Sequence, residues 1–268
     1  MSAIGRMLAA LFLAVGAAVA VMLATGTTVT DIRNFGTPRN AILQDGEEVR
    51  IPIPPAHEGR LLPTVPVTTV GTYDFLFVDE GEPVRYDPCR PLEYVISARG
   101  EPSGARVLID EAIAEIEEAT GLTFEFLGET DEEPSFERNL IQPDRYGDDR
   151  FAPILIGWAT EESNPRLEGT VTGLGGSSAV TGAYGDQRYL TSGVVILDAV
   201  DIATLLTRNG GESVARAVIM HELGHVVGLG HVDDPAQLMH PSNQERDDWA
   251  GGDLAGLAIV GNGPCQEV

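Results

Sequence analysis

Residues 221–231 read His-Glu-Leu-Gly-His-Val-Val-Gly-Leu-Gly-His, and no other stretch constrains the chain as strongly. His221 and His225 are four residues apart, so a helix sets them on one face, one turn above the other, where both rings can reach a common metal. Glu222 stands beside the first histidine, close enough to approach a water on that metal without being a ligand itself. Gly228 can adopt a positive φ, end the helix and turn the chain sharply, which lets His231 return as a third ligand. Three protein ligands leave a fourth position for water, the arrangement of a catalytic rather than a structural zinc. A helix with histidines on a solvated face does not explain why three of only five histidines fall here. The run from Gly211 to Met220 supports the helix, opening on cap-like residues and continuing through good helix formers.

Eight residues beyond His231 comes Met239, within Ala236-Gln-Leu-Met-His-Pro241. The extended histidine motif followed by this methionine resembles the metzincin zinc metallopeptidases, and the Leu-Met-x-Pro form resembles their matrixin branch, the group of the matrix metalloproteinases. The resemblance implies one catalytic zinc on His221, His225 and His231, with Glu222 as general base in the hydrolysis of peptide or protein substrates. It also implies that Met239 packs beneath the ligands and does not bind the metal. By the same resemblance, Gly173 to Ala179 is a candidate edge strand for pairing with an extended peptide. Ser242 to Asp248 is a candidate wall of the specificity pocket. Asp233 and Asp234 are near in sequence as acceptors for the ligands' second ring nitrogens.

The resemblance covers residues 86–268 by order of elements. Leu92–Ser97 reads as a first strand and Gly104–Thr120 as an amphipathic helix, with Ala105, Ile109, Ala112, Ile116 and Ala119 on its apolar face. Leu122–Leu127, Ala152–Gly157 and Gly193–Leu197 read as strands, and Asp253–Val260 as a last helix after the active-site helix. Such an order gives an α+β fold, a mixed sheet with a long helix and an active-site helix, and a small carboxy-terminal subdomain after the third histidine. Some family features are missing. The chain has no histidine between His57 and His221 to hold the second, structural zinc of matrixins, and Pro241 stands where some metzincins carry a tyrosine. Val232 replaces the residue that commonly follows the third histidine in matrixins. Asp148, Asp149, Asp186 and Asp198 are candidate Ca2+ ligands, because calcium takes hard oxygen donors; solvated loop acids are the alternative.

The remaining segments bear on location. Met7 to Ala24 is an uncharged apolar run after Arg6, so residues 1–28 read as a signal anchor or as a cleaved signal peptide, with the catalytic part exported in either case and the anchored form facing outside. Residues 29–85 are rich in proline and read as a stalk or pro-region, within which Thr68–Val78 could dock as a strand; residues 86–268 form the catalytic domain. Cys89 and Cys265 flank that domain. They are expected to form a disulfide, the alternative being a Cys89 thiolate that inhibits the zinc. Forty-one acidic against seventeen basic residues give a net charge of −24, which excludes nucleic acid as a partner and leaves contact with a membrane to the apolar amino end. The oligomeric state is not legible. Besides an exported zinc endopeptidase, two readings stay open: a catalytically silent surface module that keeps the fold, and a processing peptidase of narrow specificity.

Overall fold

The computed structural model describes residues 15–17, 20–22, 36–242 and 246–266. The apolar run 7–24 therefore falls for the most part outside the described residues, and so does the middle of the 242–248 loop. Among the described residues no helix is long and apolar enough to cross a membrane.

Two small hairpins come first, β1 (Ala41–Gln44) with β2 (Glu47–Arg50) and β3 (Val78–Asp79) with β4 (Glu82–Pro83). The main body follows: β5 (Leu92–Ser97), α1 (Ala105–Thr120), β6 (Phe124–Thr130), the single turn α2 (Pro143–Tyr146), β7 (Ile154–Ala159), β8 (Gly173–Thr181) and β9 (Arg188–Asp198). Helices α3 (Ala199–Leu206), α4 (Gly211–Val227) and α5 (Gly251–Gly261) complete it. The expected α+β class holds.

The sheet runs β6-β5-β7-β9-β8, with the first four strands parallel and β8 antiparallel on one edge. Strands covered on both faces read as continuous apolar runs. This is why Ile154-Leu-Ile and Val194-Val-Ile-Leu are buried throughout. Helix α1 begins after Gly104 and stops at Gly121, whose left-handed backbone donates its N–H to Glu117. Its expected apolar face, from Ala105 to Ala119, is buried. Helix α4 packs against α1 on one side and against β8 and β9 on the other. The approach to β8 is so close that a Cβ on Gly175 would lie 2.2 Å from the backbone oxygen of Glu222. Only glycine at 175 lets the strand touch the helix backbone at Glu222, whose carboxylate lies against Gly173.

Three features differ from the sequence expectation. Strand β9 starts five residues before the apolar core Gly193–Leu197, because its amino half pairs with β8 over a bulge near Ser177. Helix α3 was not anticipated; Asp198 caps it by accepting from the N–H groups of Val200 and Asp201. Finally, the proline-rich stretch does not stand away from the body as a spacer. Ile51 and Val84 are fully buried, Asn40 donates to Gly182, and Phe75 bridges to Leu229. The Thr68–Val78 segment thus docks through the Phe75–Leu229 bridge and separate hydrogen bonds of Thr72, Asp74 and Leu76, rather than as a continuous strand. Cys89 and Cys265 are joined in a disulfide across 176 residues of chain, which removes Cys89 as an inhibitory thiolate.

Candidate metal centre

Helix α4 carries His221 and His225 on its face toward the cleft, and its last turn ends at Gly228 with φ 113°. That left-handed residue turns the chain so that Leu229 donates its N–H to the Gly224 carbonyl and His231 comes back over the helix. The three imidazoles converge. Their Nε2 atoms are 3.1 Å apart for His221–His225, 3.0 Å for His225–His231 and 3.1 Å for His221–His231. Each separation is below twice a usual Zn–N distance of roughly 2.0–2.1 Å, so a single ion can touch all three.

The hydrogen bonds on the far side of the rings decide what belongs at that point. His221 Nδ1 lies 2.7 Å from the Leu238 carbonyl and His225 Nδ1 lies 2.8 Å from the Leu229 carbonyl. A carbonyl only accepts, so both Nδ1 atoms carry the proton, and both Nε2 atoms present lone pairs to one another. Two lone pairs at 3.1 Å repel unless a cation lies between them, and the donor set of three neutral imidazoles suits zinc. Burial, and then the nearby His231 and His240 rings, keep His221 neutral by holding its pKa down to about 4. Burial and the His221 ring hold His225 down to about 3. His231 is lowered by burial and by His240, and is the most open of the three. Among the described residues this is one of two groups of three or more side chains able to converge on a metal. The other is His57 with Cys89 and Cys265, whose sulfurs are tied up in the disulfide.

Glu222 lies beside the triad on the wall of the same cleft, 6% exposed. No hydrogen bond or ion pair reaches its carboxylate among the described residues. Burial alone pushes it up to about 8. The cleft, with a volume of about 650 Å³, runs from Leu76 past the histidines and the Thr172–Gly175 edge. It opens into a bay of Leu205, Val214, Val218 and Leu238, rimmed by His240 to Ser242. Among the described residues strand β8 has no partner on its outer side, so the expected edge strand, Gly173–Ala179, is an edge in the fold and flanks the cleft at its start.

Met239 is buried beneath α4, where its sulfur would lie 2.7 Å from a Cβ on Gly224. Neither Asp233 nor Asp234 takes the ligands' second ring nitrogens: Asp234 accepts from Ala236 and Gln237 within its own turn and from the distant Thr72, and Asp233 is exposed. Backbone carbonyls serve instead. The carboxylate that matters is Asp253, 1% exposed, which accepts the N–H groups of Leu238, Met239 and Ala250. Gln237 adds two bonds from Gly252 and Asp253 to its side-chain oxygen. The loop that holds His221 through Leu238 is thus fixed to the start of α5. Its sequence signal was an acidic residue at the third position of the final helix. The four candidate calcium aspartates do not gather: Asp198 is buried as a helix cap, and Asp148, Asp149 and Asp186 lie on exposed loops outside both converging groups.

Residues 145–253 match the family model of the matrixins, Peptidase_M10. No curated protein matches the chain as a whole sequence. Among solved structures, the chain is similar to archaemetzincin from Methanopyrus kandleri at 15% identity and a TM-score of 0.35, over 62% of this chain and 84% of that one. The matched segment contains β7 to β9, the three histidines, Glu222 and the methionine turn, and over these residues the chain is similar to the matrixins.

Proposed function

We propose that this chain is an exported zinc-dependent endopeptidase in which Glu222 is the general base. The observation that carries the reading is the pair of lone-pair-bearing Nε2 atoms set against one another next to a buried, unpartnered carboxylate. His221, His225 and His231 would hold a zinc ion, which would supply Lewis-acid polarisation of the scissile carbonyl and acidify water there. Glu222 would accept the proton of the attacking water on its carboxylate and return it to the leaving amine. Its lack of any hydrogen-bond partner leaves both oxygens free for the exchange. A dication at the triad favours the ionised form of Glu222 and draws its pKa down from the value burial alone gives. The free edge of β8 binds the peptide backbone as an added strand, and the Leu205–Val214–Val218–Leu238 bay takes an apolar side chain.

Export rests on the apolar run after Arg6, which serves either as an anchor or as a cleaved signal. The test of the activity is casein cleavage by the full chain with and without a chelator, beside Glu222→Ala, with zinc measured on the same samples. The expected result is one equivalent of zinc, cleavage abolished by chelation and restored by zinc, and no cleavage by the variant. Cleavage indifferent to chelator and to the variant would rule the reading out. Fractionation of the producing cells, with protease protection, tests the location.

A further inference from the structure

We infer that Leu76, supplied by the amino-terminal extension, closes one end of the substrate cleft and restricts how many residues a peptide can place on the Ser177 side of the metal centre. This inference rests on the peptidase reading and narrows it, from general cleavage along a chain to cleavage near one terminus.

The segment that carries Leu76 is bound into the site itself. Leu76 donates its N–H to the Gly228 carbonyl at 2.9 Å, and Gly230 donates to Asp74 at 2.8 Å. Phe75 is bridged to Leu229 in antiparallel fashion, and those residues lead directly into His231. Upstream, Thr72 donates to Asp234, and its carbonyl sits so close to α5 that a Cβ on Gly252 would lie 2.1 Å from it. Downstream, Val84 donates to Phe77. Residues 72–77 are therefore held from both ends and cannot swing aside without breaking the turn that places the third histidine.

Leu76 is the partition between two spaces. On one side it lines the cleft of the three histidines and Glu222. On the other it lines a smaller cavity with Phe77, Gly176, Ser177 and Ser178. A peptide added to the β8 edge advances about 3.3 Å per residue. The Glu222 carboxylate stands against Gly173, and Ser177 is four positions on. The added strand thus meets Leu76 within about two to four residues of the reacting bond. In the opposite direction the cleft continues past Thr172 to Thr170 and the apolar bay, with no such barrier among the residues that line it.

The experiment uses the full chain and two sets of fluorogenic peptides sharing one cleaved bond, extended residue by residue toward the amino end or toward the carboxy end. The wild type is expected to lose kcat/KM, by tenfold or more, when one end is extended beyond about four residues, and to tolerate extension of the other. Leu76→Ala is expected to recover most of that loss for the restricted end only, and Leu76→Trp to deepen it. Binding of the same peptides to the Glu222→Gln protein, followed by calorimetry, should show the same length limit without any turnover. Equal tolerance of both extensions by the wild type overturns the inference. So does a Leu76→Ala variant that is faster on every peptide alike, which would make the segment an inhibitory plug. Absence of cleavage together with a length limit in binding would instead condemn the peptidase reading and leave the closed end standing.

Discussion

Two regions of this molecule bury a glutamate, and they treat it in opposite ways. Glu132, before α2, accepts from Nε and Nη2 of Arg138 at 2.8 and 2.7 Å, from Gln142 at 2.7 Å and from Tyr146 at 2.7 Å. Burial raises its pKa, and these bonds more than offset that, leaving it below the ordinary carboxylate value. Glu222, in the middle of α4, is buried to a similar degree with no partner, and burial pushes it up to about 8. A carboxylate is costly to bury, and a fold without a use for one satisfies it as the 132–146 loop does. The contrast separates a glutamate that holds the structure from one kept ready to move a proton.

The comparison breaks or sharpens at four points. The largest effect is expected from Glu222→Gln, which should lower kcat/KM on the order of 10²–10⁴-fold while leaving bound zinc, measured by mass spectrometry, unchanged. A loss of zinc in parallel would mean that Glu222 helps to hold the metal. Next, Glu132→Ala leaves the Arg138 guanidinium buried and uncompensated, and should destabilise the fold by about 3–5 kcal/mol in urea denaturation, with activity per folded molecule kept. A cost below about 1 kcal/mol, as for a surface pair, would remove the contrast.

The third point is a gain. With metal chelated, Glu222 has a folded pKa near 8 against 4.5 unfolded, so it costs nothing at pH 4 and its burden grows as pH rises from 4.5 to 8. Glu222→Gln should therefore be more stable than the wild type by roughly 3–4 kcal/mol at pH 8 and equal to it at pH 4, read from denaturation curves at both pH values. The opposite trend would show that the carboxylate has a partner in solution. The smallest effect is expected from Asp253→Asn, which leaves some of the Leu238, Met239 and Ala250 N–H groups without an acceptor. It should cost about 1–2 kcal/mol and weaken zinc retention in a competition titration, because Leu238 also orients His221.

The contrast also marks what a sequence reveals. The triad was legible because its spacing is local: i and i+4 on a helix, then a glycine that turns the chain. Helix α1 was legible from its apolar period, and β5 agreed residue for residue at 92–97. The disulfide was expected from two cysteines flanking one domain. What escaped depends on partners distant along the chain. Asp253 meets Leu238 across 15 residues and Leu76 meets Gly228 across some 150, and no periodicity announces either contact. Asp233 and Asp234 offered only nearness in sequence, and the fold orients the rings with backbone carbonyls, which every residue carries and no sequence pattern displays. The docking of the proline-rich stretch was obscured in the same way, since its composition describes a spacer while Ile51 and Val84 lie in the core.

The cystine between residues 89 and 265 has one further consequence. A protease is exposed to its own copies, and its surface loops are the first places they would cut. Every loop from 90 to 264 lies inside the covalent ring that this bond closes. A clipped molecule would therefore remain in one piece and run undivided on a gel without thiol, separating into fragments only once reductant is added. Self-digestion within that ring would pass unnoticed on a denaturing gel that leaves the sulfurs joined, whereas a cut before Cys89 would release its fragment.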